Sequence, residues 1–500
     1  MGKYREYKNI NYADINNEIL SYWKDNGIYE KSVTEREGAP TFTFYEGPPS
    51  ANGTPGIHHV MSRAVKDIFC RYKTQKGFQV KRKGGWDTHG LPVELQVEKE
   101  LGITKEDIGK KISIEAYNRK CREAVMKYKD QWEELTLKMG YWIDLDDPYI
   151  TFDRKYIETL WFLLKKLFDK GMLYKGYSIQ PYSPAAGTGL STHELNQPGC
   201  YRDVKDTSIA AQFKISDTEN DYFLAWTTTP WTLPANSALA VNKSIDYVKV
   251  KTFNTYTFKP VNVILAKDLL NTYFNPKAAG LQIDAYKEGD KLIPYEVVEE
   301  MKGADLLGMD YEQLMPYVPL PKPAFAVVHA DFVSTADGTG IVHIAKTFGS
   351  DDFRVSNQYN IPGIMVKDEE GNEIPIVDKR GCFVKEITDF AGMYVKNYEG
   401  KDESDPSYKS TDTLIAIKLK EENKAFKVEK YIHSYPHCWR TDKPILYYPL
   451  DSWFIKTTAV KDKLVALNKT INWKPPSTGT GRFGNWLENL EDWNLSRSRF

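Results

Sequence analysis

The 500-residue chain is predicted to be an α/β protein with a β-rich module inserted into it. Three observations carry that expectation. A strand, a loop dense in glycine and proline, and a helix follow one another over Thr41–Tyr72. Long amphipathic stretches occupy 113–140 and 154–170. Within 206–350, runs of β-branched and aromatic residues alternate with turn signals.

In chain order, 12–27 sets Ile15, Ile19, Tyr22 and Trp23 on one stripe and ends at Asn26-Gly27, an N-terminal helix packed on the main body. Thr41–Tyr45 alternates as a half-buried strand does. Gly47, Pro48, Pro49, Gly53, Pro55 and Gly56 then forbid regular structure. Beyond them Met61, Val65, Ile68, Phe69 and Tyr72 recur at helical spacing, with Ser62, Arg63, Lys66 and Asp67 on the other face. Residues 84–94, GGWDTHGLPVE, read as a turn between core segments, with Asp87 and His89 set among glycines that let backbone approach a ligand. The stretch 154–170 stops at Gly171, and SIAAQFKI, YFLAWTTT, YVKVKTF, VNVILA, AFAVVHADFV and GIVHIA supply the β-rich runs. Residues 401–429 open as a polar linker and continue as a helix, 432–455 alternate like strands, and 482–500 are rich in Trp and Arg.

Hydrophobic residues at 41%, charged residues at 27% and aromatics at 13% describe an ordinary globular chain and argue against disorder. A net charge of -1 leaves no global basic footprint, so a nucleic-acid partner would be held by local patches. Cys70, Cys121, Cys200, Cys382 and Cys438 are scattered, odd in number and without CxxC spacing, which fits a reducing compartment. The start MGKYREYKN lacks a signal-peptide core, and no apolar run reaches a membrane span, so a cytoplasmic protein without a membrane partner is expected.

A glycine-bearing turn between strand and helix aims free N–H groups and the positive end of the helix dipole at one spot. His58 and His59 fall there, where imidazoles can donate to a phosphate. Ordinary connections share that look, so the loop alone decides nothing.

Taken together, GPPSANG (47–53), GWDTHGLPVE (85–94), AWTTTPWTLPANSALAV (225–241), DGTGIVHIA (337–345), YPHCWR (435–440) and NWLENLEDWNLSRSRF (485–500) resemble the class I aminoacyl-tRNA synthetase family, in its isoleucine branch. The match spans essentially the whole chain, in the family's order. The resemblance implies a Rossmann-type parallel-sheet domain that binds ATP at the carboxyl ends of its strands, interrupted by an inserted β-rich editing domain. It implies activation of isoleucine to isoleucyl-adenylate, with Mg²⁺ as helper, and transfer to tRNA(Ile). Valine specificity is the alternative within the class. Asp87 matches the carboxylate that pairs with the substrate ammonium, Gly47 and Pro48 match the floor of the amino-acid pocket, and His89 and Gly56 are assigned to substrate binding.

The family signature His-x-Gly-His is altered here to Gly56-Ile57-His58-His59. His59 matches the second histidine, while the first histidine and the glycine have traded places. Either the loop is reshaped and His58 covers the missing role, or adenylation is impaired. The intact remaining motifs favour the first, with His58 and His59 as the catalytic pair.

In the inserted module Thr227, Thr228, Thr229 and Trp231 match the threonine-rich wall of the family's editing site, with Asn236 following. His343 and Asp352 match the opposite wall, Asp352 pairing with the ammonium of mischarged valine in preference to Asp351, although two acids there would also suit a helix cap. KTFG departs from the family's common Pro-Gly-His-Gly. One methylene separates isoleucine from valine, worth about 1–3 kcal/mol, a general figure for this very pair rather than a property of this chain, so hydrolysis must add to binding. Thr441 stands where some relatives carry a second cysteine after Cys438, and no zinc is expected. The implied domains are an N-terminal helical extension (1–40), the first half of the catalytic domain (41–185), the insertion (186–430, core about 200–400) and a return to the catalytic domain (431–500). With no Lys-Met-Ser-Lys-Ser loop, the chain is expected to be the N-terminal portion of a longer, monomeric enzyme. The competing expectations are an editing-only hydrolase and a nucleotide-binding regulator without turnover.

Overall fold

The computed structural model describes residues 9–47, 49–403, 405 and 407–497. The chain forms two compact units, one ending at Leu173 and the other beginning at Tyr174.

The first unit is α/β. Its helices are α1 (Tyr12–Asp25), α2 (Ile28–Thr34), α3 (Ile57–Gln75), α4 (Leu91–Leu101), α5 (Ile114–Val125), α6 (Lys129–Lys138) and α7 (Arg154–Asp169). Its strands β1 (Thr41–Tyr45), β2 (Gln79–Trp86) and β3 (Asp144–Ile150) lie in the order β1-β2-β3. Both pairings are parallel, with Thr41 opposite Gln79 and Trp86 opposite Ile150. Helix α3 connects β1 to β2, so the loops after these strands leave the same edge of the sheet. Gly85 allows the close pairing there, because a Cβ on it would sit 2.4 Å from the Tyr149 ring.

Two expectations need correction. The stretch 113–140 is two helices, broken at 126–128, where the Tyr128 N–H leaves the helical ladder to bond the Ala51 carbonyl at 3.0 Å. Helix α3 is amphipathic as its spacing predicts, but it buries its polar face. Arg63, Asp67, Cys70 and Thr74 are buried, while Met61, Val65, Ile68, Phe69 and Tyr72 are exposed. The reason is a layer of cations over aromatic rings. Arg63 lies 4.9 Å from the Trp132 ring centre, and Arg71 lies 4.0 Å from that of Trp142. Helix α1 keeps Ile19 and Tyr22 exposed and docks through Trp23 edge-on to Trp142 at 5.2 Å.

The second unit is mainly β. Its six-stranded sheet runs in the order 296–302, 246–253, 260–266, 221–227, 201–214, 425–436. Strand 260–266 pairs in parallel with 221–227, and the remaining neighbours are antiparallel. In a smaller sheet 238–241 lies between 327–329 and 342–344. Phe213, Phe223, Trp231, Leu239, Tyr247, Ile264, Ile415 and Leu419 belong to one buried cluster. The 3₁₀ turn Pro230–Ala235 is sunk wholly into that core.

Candidate functional site

The first unit carries a cavity of about 440 Å³ where β1 ends and α3 begins. Gly47, Pro49, Asn52 and Thr54 from the loop meet His59, Arg63 and Lys66 of α3, with Trp132 of α6 as a wall. Trp132 also fixes the loop, its indole N–H donating to the Gly53 carbonyl at 2.8 Å. Glu46 is buried at the edge of the cavity, where its carboxylate takes the Lys66 ammonium and the Tyr141 hydroxyl. Its carbonyl accepts from the Tyr149 hydroxyl at 2.5 Å. A cation therefore stays over the loop with its counter-charge already built in.

Gly56 is the N-cap of α3, and its N–H donates to His59 Nδ1 at 2.9 Å. With Nδ1 accepting, a neutral His59 ring carries its proton on Nε2. Burial, then the neighbouring His58 and Arg63, push its pKa below the usual histidine value and favour that neutral form. His58 is exposed and lies against His59 with ring centres 3.8 Å apart, and it is absent from the cavity lining. Gly56 has φ -109°, ordinary extended backbone, so its glycine reflects proximity: a Cβ would lie 2.9 Å from His58 Cε1.

At the end of β2, the half-buried Asp87 is tied to the glycine-proline loop by its N–H, which donates to the Pro49 carbonyl at 3.0 Å. Its carboxylate accepts the His89 N–H at 3.3 Å, and the exposed His89 ring meets Thr151 Oγ1 at 3.1 Å. Asp87 and Gly47 thus flank the same loop, while Asp87, His89, Gly56 and His58 stay outside the cavity lining itself. Pro48 lies outside the described residues.

In the second unit a chain of hydroxyls crosses the threonine turn. Thr227 Oγ1 is 3.2 Å from Thr229 Oγ1, which is 3.4 Å from Thr232 Oγ1. Thr232 donates to the Thr229 carbonyl at 2.8 Å and lies 3.0 Å from His343 Nε2. Its proton being spent, it accepts from Nε2–H, which leaves Nδ1 of His343 as an acceptor. That buried Nδ1 has no partner among the described residues. Burial pulls the His343 pKa down to about 4, so the ring is neutral near pH 7. Thr228 stands half-buried beside this chain.

Asp352 reaches back from the first turn of the helix Ser350–Gln358 to accept the Ala345 N–H at 2.9 Å, two residues beyond His343. Burial raises its pKa to about 7. Asp351 is exposed and pairs with Arg354 at 2.8 Å. In the KTFG segment, Phe348 packs edge-on against Trp231 at 5.1 Å. Asn236 is wholly engaged by protein, donating to the Ala238 carbonyl at 2.9 Å and accepting from Tyr311 OH at 2.6 Å.

Thr232 was not singled out from the sequence, yet it joins the threonines to His343. The available signal was Pro230 opening a 3₁₀ turn, in which positions three apart such as Thr229 and Thr232 eclipse. Among the described residues no three His, Cys, Asp or Glu side chains gather as a metal cage, and no helix is long and apolar enough to cross a membrane.

A cavity of about 440 Å³ at the carboxyl ends of parallel strands, beside a helix start bearing histidine, is the arrangement of the nucleotide-binding α/β class. The family model "tRNA synthetases class I (I, L, M and V)" matches residues 18–500, and the chain belongs to that family. It is 68% identical over 511 residues to the isoleucine–tRNA ligase of Cytophaga hutchinsonii, an alignment covering 100% of this chain and 46% of that protein. The isoleucine–tRNA ligase of Bacteroides fragilis (strain ATCC 25285) is 59% identical over 521 residues, covering 100% and 46%. That of Clostridium novyi is 44% identical over 490 residues, covering 98% and 43%. The chain spans about half the length of these curated relatives. Among solved structures, the ternary complex of Agrobacterium radiobacter K84 agnB2 LeuRS-tRNA-LeuAMS overlaps at a TM-score of 0.30 and 14% identity, over 50% of this chain and 40% of that one.

Proposed function

We propose that this chain holds the amino-acid activation pocket and the editing cleft of an isoleucine–tRNA ligase. The observation that carries the reading is the cavity in which His59, Arg63 and Lys66 face the glycine-proline loop. ATP phosphates directed at the start of α3 would meet the helix dipole, the His59 Nε2–H and the Lys66 ammonium. Isoleucine, its ammonium on Asp87 and its side chain on Gly47 and Pro48, attacks the α-phosphorus through a carboxylate oxygen. The bond from the α-phosphorus to the bridging oxygen breaks and pyrophosphate leaves. The ribose hydroxyl at the tRNA(Ile) terminus then attacks the adenylate carbonyl and AMP leaves. Glu46, the acid at the cavity, is already engaged by Lys66 and Tyr141, so Mg²⁺ would arrive on ATP and be held by its phosphates. His58 would reach those phosphates by rotating off His59.

In the second unit the ammonium of valine misattached to tRNA(Ile) would pair with Asp352. Thr227, Thr228, Thr229 and Thr232 would hold the terminal ribose and a water, and His343 Nδ1 is an acceptor that can orient that water. Trp231 and Asn236 would shape that wall. Attack breaks the ester and releases valine and free tRNA. On this reading 41–185 and 431–500 belong to the catalytic domain, 1–40 extends it, and 186–430 is the editing insertion, within a monomeric cytoplasmic enzyme.

The test is isoleucine-dependent ATP–pyrophosphate exchange by the full-length natural protein. Exchange favouring isoleucine over valine, falling at least about tenfold in His59→Ala, supports activation. Silence of the natural protein, with exchange appearing in Gly56→His/His58→Gly, would refute activation and leave hydrolysis of valyl-tRNA as the remaining activity.

A further inference from the structure

The turn that presents the threonines begins with a structural problem. Pro230 has no N–H, and the first internal bond of the turn is donated by Thr232 to the Thr229 carbonyl at 2.9 Å. The N–H of Trp231 is therefore an orphan donor in the core. Its acceptor comes from far along the chain: Asp412 Oδ1, at 2.8 Å.

Asp412 is itself fully committed. Its other oxygen takes the Lys396 ammonium at 3.1 Å, and Lys396 also donates to Asp206 Oδ2 at 2.8 Å. The same Asp206 oxygen meets His433 Nε2 at 3.1 Å. The Lys396 and Asp412 side chains are only 8% and 4% exposed, so the pair works in a low-dielectric interior. The Lys396 ammonium also lies 4.9 Å from the centre of the Tyr435 ring. Burial raises the Asp412 carboxyl against the opposing pull of Lys396, while burial at Asp206 is outweighed by Lys396 and its pKa is lowered. The line of contacts runs from strand 425–436 through strand 201–214 and Lys396 to the helix Thr411–Glu421, and ends on the threonine turn.

A buried ion cluster that served only to hold the core together would be no better than apolar packing of the same volume. What such a cluster supplies is direction: one acceptor lobe fixed in space. We propose that Asp412, locked by Lys396 and Asp206, is a positioning residue that sets the 3₁₀ turn and thereby the spacing of Thr229, Thr232 and His343. The inference rests on the editing reading of that site. Asp412 touches no reacting atom and acts through the Trp231 N–H. It orders the hydroxyl chain before substrate arrives, and Lys396 keeps its carboxylate aimed.

The experiment uses the full-length protein with Asp412→Asn, Lys396→Met and Lys396→Arg. Hydrolysis of preformed valyl-tRNA(Ile) and amide hydrogen exchange are read in parallel. Asp412→Asn and Lys396→Met are expected to lower kcat about tenfold or more while KM stays within about twofold, since a charge-assisted hydrogen bond is lost from the ordering of the site. Both should speed exchange across 227–236 and leave 246–253 and 260–266 protected, and Lys396→Arg should recover part of kcat. If Lys396→Met does not fold, Asp412→Asn, which keeps the shape and one acceptor, carries the test. Unchanged exchange at 227–236, or protection lost across 246–253 and 260–266 as well, overturns the inference. A natural protein that leaves valyl-tRNA intact refutes the editing reading instead, and exchange at 227–236 still decides whether Asp412 sets the turn.

Discussion

Replacing Asp352 by asparagine should stabilise the second unit at alkaline pH far more than in acid. Folding raises this carboxyl from 3.8 to about 7, chiefly through burial and then through Asp351. Between those values the folded protein keeps a proton that the unfolded chain has released. Stability therefore falls as pH rises through the window, and the full cost is present above pH 7. From pH 5 to pH 7 two units remain, a ceiling of roughly 2.7 kcal/mol at about 1.36 kcal/mol per unit. The residue keeps part of its surface in solvent, and screening reduces this to about 1–1.5 kcal/mol. Asparagine still offers an oxygen to the Ala345 N–H and carries no charge to desolvate. Thermal unfolding followed by tryptophan fluorescence at pH 5 and pH 8 should thus show a gain larger at pH 8 by roughly 1.5–2 °C, since a unit this long unfolds with about 2.1 cal/mol/K per residue. The same variant should lose hydrolysis of valyl-tRNA, because the ammonium loses its counter-charge. An equal shift at both pH values, or destabilisation at pH 8, would refute the account of Asp352 as a carboxylate kept at a cost to stability.

Asn236→Ala strands the buried Tyr311 hydroxyl and the Ala238 carbonyl, so denaturant unfolding should show a loss of about 2–4 kcal/mol; a loss below about 1 kcal/mol with hydrolysis abolished would make Asn236 chemical instead. Gly56→Ala should cost less than about 1 kcal/mol in the same assay, because its φ of -109° suits any residue and the exposed His58 ring can swing aside; a larger loss would show that ring to be held in place. The exposed face of α3 should bind an apolar fluorescent dye in the 500-residue chain, and Ile68→Ser/Phe69→Ser should remove a large share of that signal; an unchanged signal would place the dye elsewhere.

What was legible in the sequence was local. The alternation of Thr41–Tyr45 produced a strand with those bounds, and the runs around Ile209, Phe223 and Val250 became strands of one sheet. The loop 47–56 announced itself through glycine and proline, and Gly47 and His59 meet at its cavity. What escaped was long-range. Periodicity shows that α3 has two faces but not which one is covered, because the deciding partners, Trp132, Tyr141 and Trp142, arrive from 70 or so residues later and accept guanidinium groups rather than methyls. The break at 126–128 has no glycine or proline to mark it and is set by the Ala51 carbonyl.

The same physics explains the division of labour within the candidate sites. Side chains that would meet substrate, such as Thr229 and Asp352, lie in short motifs because a turn can bring a few neighbours to one spot. The groups that orient them need not be near in sequence, since an orphan donor accepts any acceptor that packing delivers. Asp412 stands 181 residues from the N–H it holds, and Trp132 stands 79 residues from the carbonyl it fixes. Motifs therefore report what a site can do, whereas how firmly it is set resides in buried polar contacts that motifs do not contain. His58 is the instructive case between the two. It sits inside the motif, yet its ring lies against His59 and beside the space a Cβ on Gly56 would take, so contacts within the turn, and not the motif alone, decide where the imidazole stands.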